Sequence, residues 1–215
     1  VVIIEGPDGG GKTTLVKRLH EDLGIELSQE AQLSKAERNE SNYRSKDAVR
    51  KRTYVALLRE VAGRKSPLLY DRLFFSELIY SEAYGREVAF SYHEQVHIGR
   101  VLNAFKVPVV FCVPPLEDIL KKNLVIDEEQ GMDSLSVKIT KVYSTYLAMG
   151  SLLMARKRDK KPMVGRHGLG DRTARDYALP PVIWYDYNKG EDYGRIKTEV
   201  MKYIAYRALR SQNWH

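Results

Sequence analysis

The stretch "EGPDGGGKTT", residues 5–14, sets four glycines, a lysine and two threonines within ten positions. From Gly6 to Thr13 it spells G-x-x-x-x-G-K-[ST], a spacing with a specific chemistry. Gly6, Gly9, Gly10 and Gly11 let the backbone curl so that successive N–H groups point at phosphate oxygens. Lys12 then reaches the β- and γ-phosphates and the Thr13 hydroxyl ligates Mg2+, while Thr14 stands in the first turn of a helix whose N-terminus favours anions. These residues predict a site for a nucleoside triphosphate and its metal, taken as ATP and Mg2+.

Two further groups could do chemistry. "YDRLFFSELIY", 70–80, puts Asp71 and Arg72 at the end of an apolar run. An acid there can approach a Mg2+–phosphate cluster, and an arginine beside it can clamp an oxyanion with its planar fork of donors. A structural ion pair closing a strand is the plainer alternative. "HEQVH", 93–97, is a literal H-E-x-x-H, which on a helix puts His93 and His97 on one face, with Glu94 as a base for zinc chemistry. The extended form of that motif is broken, since Arg100 and Asn103 stand where glycine and histidine are required. Two solvated or partly buried histidines are therefore expected instead.

A glycine loop of this kind needs a strand before it and a helix after it. "VVIIE" is a β-branched run suited to a buried parallel strand, and "TTLVKRLHEDLG" spaces Leu15, Leu19 and Leu23 on one helical face before Gly24. Further strands are expected at Gly24–Leu27, Pro67–Tyr70, Pro108–Val113 and Val182–Tyr185. Helical patterns fall near 11–23, 46–62, 74–84, 91–105, 133–157 and 192–210, and Tyr54, Leu58 and Val61 make the apolar face of the second. This alternation predicts an α/β fold: a three-layer sandwich of the P-loop NTPase kind, its five-stranded parallel sheet covered by helices on both faces. Ligands are expected at the C-terminal ends of the strands.

Composition narrows the classes. At 215 residues and 43% hydrophobic, the chain is expected to form one domain, 1–215, with a sizeable core. The single cysteine, Cys112 in "VPVVFCVPP", excludes a disulfide framework and points to a reducing cytoplasm. No run approaches a membrane span or a signal peptide, and a chain that opens inside its own first strand implies that a few residues precede Val1. The net charge of +7 is concentrated. Residues 43–65 and 156–175 each hold eight Lys/Arg against two acids, so each nets +6 and the remainder carries −5. Such segments suggest anionic ligands at particular places, with a solvated helix face as the plainer account of the first. Residues 156–181 read as an irregular basic excursion, and the "GRHGLGD" glycines within it follow no strand. It enters the last strand at the sheet edge opposite the ligand end, so a surface or partner-binding role is expected. A lid-like role for Arg166, Arg172 or Arg175, and contact with nucleic acid, are the alternatives.

On these residues the sequence resembles the thymidylate kinase family of nucleoside monophosphate kinases, as a divergent member. "EGPDGGGKTT" resembles that family's P-loop, including Glu5 and Asp8. "DRLFFSELIY" is similar to its D-R-x-x-x-S-x-x-A-[YF] signature, with Asp71, Arg72, Ser76 and Tyr80 in register and Ile79 in place of alanine. "VPVVFCVPPLEDILKKN" resembles its fourth strand and V-P-P-E turn, and the likeness resumes at "VIWYDYN". The resemblance implies a cytoplasmic, homodimeric kinase of nucleotide biosynthesis acting on a small-molecule nucleotide rather than nucleic acid. It would move the γ-phosphoryl group of ATP to a deoxynucleoside monophosphate, dTMP-like or carrying a modified pyrimidine. Lys12, Arg72 and Asp8 would form the catalytic set. Asp8 would lie near the acceptor's sugar, Arg72 on its phosphate, Tyr80 in its pocket, Ser76 in support of that loop, and Asp71 with Asp8 would order acceptor and metal. The adenine would rest near "YDYNKG", 185–190.

Departures from the family pattern fall mainly on the acceptor's base. The T-R-E-P-G-G segment appears as "SQEAQLS", with Glu30 at the acid's position. The base-reading helix is "SKDAVRKRTY", where Arg50 or Arg52 could read the base and Tyr43 is the nearest aromatic; Ser81 replaces a glutamine. The P-loop holds no arginine, and the lid region "LKKNLVIDEEQGMDS" offers only Lys121 and Lys122 as point charges for the transferring group. Two alternatives stay open: a kinase acting on a hydroxyl of a modified base, in nucleotide or DNA, and a P-loop ATPase without a small acceptor.

Overall fold

Short β-branched and aromatic runs form the middle of the molecule, a sheet buried on both faces. In the computed structural model, which describes residues 1–28, 45, 48–49, 53, 56–63, 66–124, 132–158 and 182–212, the strands are β1 (Val2–Glu5), β2 (Glu26–Leu27), β3 (Leu68–Asp71), β4 (Val109–Cys112) and β5 (Val182–Tyr185). They pair in the order β2-β3-β1-β4-β5, every neighbour parallel. The helices are α1 (Lys12–Leu23), α2 (Phe74–Tyr84), α3 (Tyr92–Ala104), α4 (Leu116–Leu124), α5 (Met132–Arg158) and α6 (Gly190–Gln212), with a π-helical stretch at Ala56–Gly63.

Strand periodicity of two sorts the core into two layers. Ile3, Leu68, Tyr70, Val109, Phe111 and Val182 turn to one face, where Phe74, Phe75 and Leu78 of α2, Ile98 and Leu102 of α3 and Val142 and Tyr146 of α5 cover them. Val2, Ile4, Leu69, Val110, Cys112 and Tyr185 turn to the other, against Leu15, Val16 and Leu19 of α1 and Ile196 and Val200 of α6. Phe111 sits at the centre of the first layer, edge-on to Phe75, Tyr146 and Trp184. The expected α/β sandwich with five parallel strands is what the chain forms.

Differences from the sequence expectations are local. Three of the strands are shorter at one or both ends, Val182–Tyr185 coincides with its expected span, and the strand expected at Pro67–Tyr70 is shifted by one residue to Leu68–Asp71, which takes in Asp71. Within the expected helix 46–62, Ala56–Gly63 is π-helical with Val61 fully buried; apolar periodicity does not distinguish i→i+4 from i→i+5 hydrogen bonding. Tyr54 lies outside the described residues. Helix α4 was not expected, because residues from 120 onward read as lid. Among the described residues, no helix is long and apolar enough to cross a membrane.

Candidate active site

The glycine loop leaves β1 at Glu5 and lies against the end of β4. Gly6 has φ +150°, and a Cβ there would sit 2.4 Å from the Cys112 carbonyl oxygen. Gly6→Ala should therefore cost about 3 kcal/mol of stability by forcing loop and strand apart, measurable as a lowered urea midpoint. Gly11, at φ +86°, is the left-handed N-cap of α1, and a Cβ there would meet the Tyr187 ring at 2.7 Å. Gly9 and Gly10 complete the turn, with the Gly10 N–H donating to the Pro7 carbonyl at 3.1 Å. Asn123 of α4 clasps the loop from outside, its amide donating to the Asp8 carbonyl at 3.1 Å.

Lys12 is buried, and its ammonium donates to the Pro7 carbonyl at 2.7 Å. Burial, with the like charge of Arg72, pushes its pKa down to about 8. Exposed Thr13 donates its hydroxyl to Asp71 Oδ2 at 3.1 Å, and exposed Thr14 follows it on the first turn of α1. A hydroxyl and a carboxylate side by side, one at a helix N-terminus and one at a strand C-terminus, are the hard oxygen donors that Mg2+ takes together with phosphate oxygens and water. The residues present fit that ion.

Arg72 follows β3 with φ +70°, a left-handed conformation that a non-glycine residue holds only at a cost. Its amide donates to the Ile4 carbonyl at 2.8 Å. Its guanidinium donates to Asp8 Oδ1 at 2.5 Å and lies 4.8 Å above the centre of the Tyr80 ring. Tyr80 in turn donates to Asp8 Oδ2 at 3.4 Å. Asp8, 69% exposed, thus faces outward beside an arginine that is only 26% exposed, at the mouth of the loop holding Lys12. An arginine so placed can exchange a side-chain carboxylate for a ligand oxyanion.

The structure therefore brings Gly6, Asp8, Gly9, Gly10, Gly11, Lys12, Thr13, Asp71, Arg72 and Tyr80 together at the C-terminal ends of β1 and β3. Ser76 stands behind Arg72 and donates to Glu5. Buried Ser81 bonds Glu77 at 3.1 Å, so its work is within α2. Of the two lid lysines, Lys121 pairs with Asp118 at 4.0 Å, whereas Lys122 lies 3.7 Å above the Tyr187 ring that covers Gly11. Arg50 lies outside the described residues, as do Glu30, Tyr43, Arg52, Arg166, Arg172 and Arg175. Tyr187 falls in the 185–190 stretch expected near the adenine, whereas sequence reasoning missed Asn123 and Tyr146, whose hydroxyl reaches Glu5 from a position 141 residues away.

The H-E-x-x-H residues open α3 as a cap. Ser91 Oγ accepts from the Glu94 amide and Glu94 Oε2 accepts from the Ser91 amide at 2.7 Å, a reciprocal capping box. Exposed His93 and His97 lie on one side of that helix with Tyr92 and Arg100. The glutamate that zinc chemistry would need as a base is bound to the helix terminus.

A family model described as an AAA domain matches residues 1–134. The chain belongs to the AAA domain family. Among solved structures, this AAA domain protein is similar to the YorR protein of Bacillus subtilis in complex with phosphorylated GDP, at 14% identity and TM-score 0.56, covering 100% of this chain and 98% of that one. It is also similar to deoxyadenosine kinase from M. mycoides with bound dATP, at 14% identity and TM-score 0.49, covering 93% and 97%. The first likeness extends to the fold, and the second adds nothing to it. No curated protein matches the sequence.

Proposed function

We propose that the chain is a single-domain, thymidylate kinase-like enzyme that transfers the γ-phosphoryl group of ATP to a deoxynucleoside monophosphate, dTMP-like or bearing a modified pyrimidine, giving the diphosphate. One observation carries the reading: a strained arginine, tied to Asp8 and Tyr80, stands at the open mouth of the loop that buries Lys12. A kinase needs such a cation for its acceptor phosphate, whereas a nucleoside triphosphatase would turn it to the γ-phosphate, and the dNMP panel below separates the two.

In this mechanism the loop N–H groups and Lys12 hold the donor phosphates, and Lys12 moves from the Pro7 carbonyl to the β/γ oxygens. Thr13 and Asp71 would hold Mg2+, which would supply charge neutralisation to those oxygens. Arg72 takes the acceptor phosphate, releasing Asp8 towards the acceptor's sugar, and Tyr80 lines the acceptor pocket. An acceptor phosphate oxygen attacks the γ-phosphorus, the bond to the β-bridging oxygen breaks, and ADP leaves. Positioning and electrostatics do the catalysis, with Lys122 as the cation of the lid side. A coupled ADP-release assay with ATP and a panel of dNMPs tests this. Formation of a diphosphate from at least one pyrimidine dNMP is expected. ATP hydrolysis indifferent to every dNMP would identify an ATPase, and phosphate appearing on DNA would identify a hydroxyl kinase.

A further inference from the structure

We infer that Glu5 and Tyr146 are positioning residues for Arg72, holding the arginine in register with the phosphate loop. The inference rests on Arg72 being the acceptor's phosphate ligand. It starts from the strain at that residue. A non-glycine backbone at φ +70° costs about 1–3 kcal/mol and persists only where its surroundings over-determine it. Those surroundings converge on one side chain. Glu5 Oε1 accepts from the amides of Leu73 at 2.9 Å and Phe75 at 3.2 Å, and Glu5 Oε2 accepts from the Ser76 hydroxyl. Helix α2 lacks a side-chain cap of its own at Leu73, so a carboxylate from β1 satisfies its first amides.

Glu5 is also the last residue before Gly6. The one side chain that fixes the turn after Arg72 therefore belongs to the strand end from which the phosphate loop departs. Beside the backbone bond from the Arg72 amide to Ile4, this side chain ties the turn that carries the Arg72 fork to the strand end that carries the donor phosphates. Tyr146 closes the arrangement from α5: its hydroxyl lies 3.0 Å from Ser76 Oγ and donates to Glu5 Oε2 at 3.3 Å, and both Glu5 and Tyr146 are fully buried.

A core filler does not explain these two residues. Burial disfavours the ionised form of Glu5 and raises its pKa, against the bonds from Ser76 and Leu73. An apolar side chain there would strip the Leu73 and Phe75 amides and the Ser76 and Tyr146 hydroxyls of this acceptor. What the carboxylate adds is directional: four donors drawn from α2 and α5 onto one strand end. Ser76, a member of the D-R-x-x-x-S spacing, gains a physical role as the link between Glu5 and Tyr146.

The test uses the full chain with Tyr146→Phe, which keeps the ring packed on Phe111 and removes only the hydroxyl, and with Glu5→Gln, which keeps shape and replaces one acceptor by a donor. Loss of about one net hydrogen bond should raise the acceptor's KM about fivefold in Tyr146→Phe, with the KM for ATP within twofold of wild type. Glu5→Gln should raise it about tenfold or more. Amide hydrogen exchange at 72–76 should quicken in both, while exchange at 12–16 stays unchanged. Equal rises in both KM values, or an acceptor KM within twofold of wild type in Tyr146→Phe, would overturn the inference, and Tyr146→Phe decides it alone if Glu5→Gln does not fold. If the wild-type protein turns over no dNMP, the kinase reading fails by itself. Unchanged exchange at 72–76 in Tyr146→Phe would then overturn the positioning role independently.

Discussion

Lys12→Ala should lower phosphoryl transfer by about a hundredfold or more, the scale of removing one preorganised charge from a reacting centre. Its secondary structure and thermal midpoint should stay near those of wild type. The fold tolerates the loss because the lysine's present partner is a loop carbonyl, Pro7, which the Gly10 amide also satisfies. Catalysis does not tolerate it, because no other cation of the described loop stands between residues 6 and 14. Turnover above a tenth of wild type would remove Lys12 from the mechanism. The same residue gives a pH signature with a determined sign. Its pKa is pushed down to about 8 by burial and by Arg72, and triphosphate oxygens would favour the charged form and raise it again. Binding at pH 8 should therefore take up about half a proton, and uptake should be far smaller at pH 6, where the lysine is already charged. ATP affinity should fall as pH climbs from 7 towards 10. Calorimetry in buffers of different ionisation enthalpy reads the uptake, and Lys12→Ala should abolish it.

The parts of this site that were legible in the sequence are those encoded by local spacing. Gly6 to Thr13 follow a strand and start a helix, so their geometry is written in consecutive residues. Asp71 and Arg72 end an apolar run, which puts them on the same sheet edge as the loop once β1 pairs with β3. The helix at Leu116–Leu124 carried signals that were passed over: two prolines before it, Glu117 and Asp118 in its first turn, and Lys121 and Lys122 in its last, matching the helix dipole. Its brevity and the expectation of a lid hid them. Tyr146 could not have been found this way. It lies inside a 27-residue helix among other aromatic and apolar residues, and only the packing of α5 across Phe111 brings its hydroxyl to Glu5. Tyr187 is an intermediate case: its stretch, 185–190, was expected near the adenine, but only the parallel order that brings β5 beside β4 lays its ring over Gly11. Chemistry borne by one segment is readable from spacing, whereas chemistry shared between segments far apart in the chain needs the topology.

Arg72 joins both kinds, and its substitution should divide cleanly into chemical and backbone parts. Arg72→Ala should cost about 2–4 kcal/mol of transition-state stabilisation, seen mainly as a raised KM for the dNMP with a smaller fall in kcat. Arg72→Lys should recover only part of that, since a lysine brings a point charge without the planar fork of donors, one of which now bonds Asp8. The KM for ATP should change little in both, and the reverse pattern would place Arg72 on the donor side. The backbone part has a separate readout. Arg72→Gly loses the same guanidinium as Arg72→Ala but adopts φ +70° without strain, so it should be the more stable of the two by about 1 kcal/mol in urea unfolding while being no more active. A glycine variant no more stable than the alanine variant would mean that the left-handed turn is not strained in the folded protein. The positional restraint from Glu5 would then have nothing to oppose. A difference of the expected sign would show that the fold spends stability to hold one guanidinium over its phosphate loop.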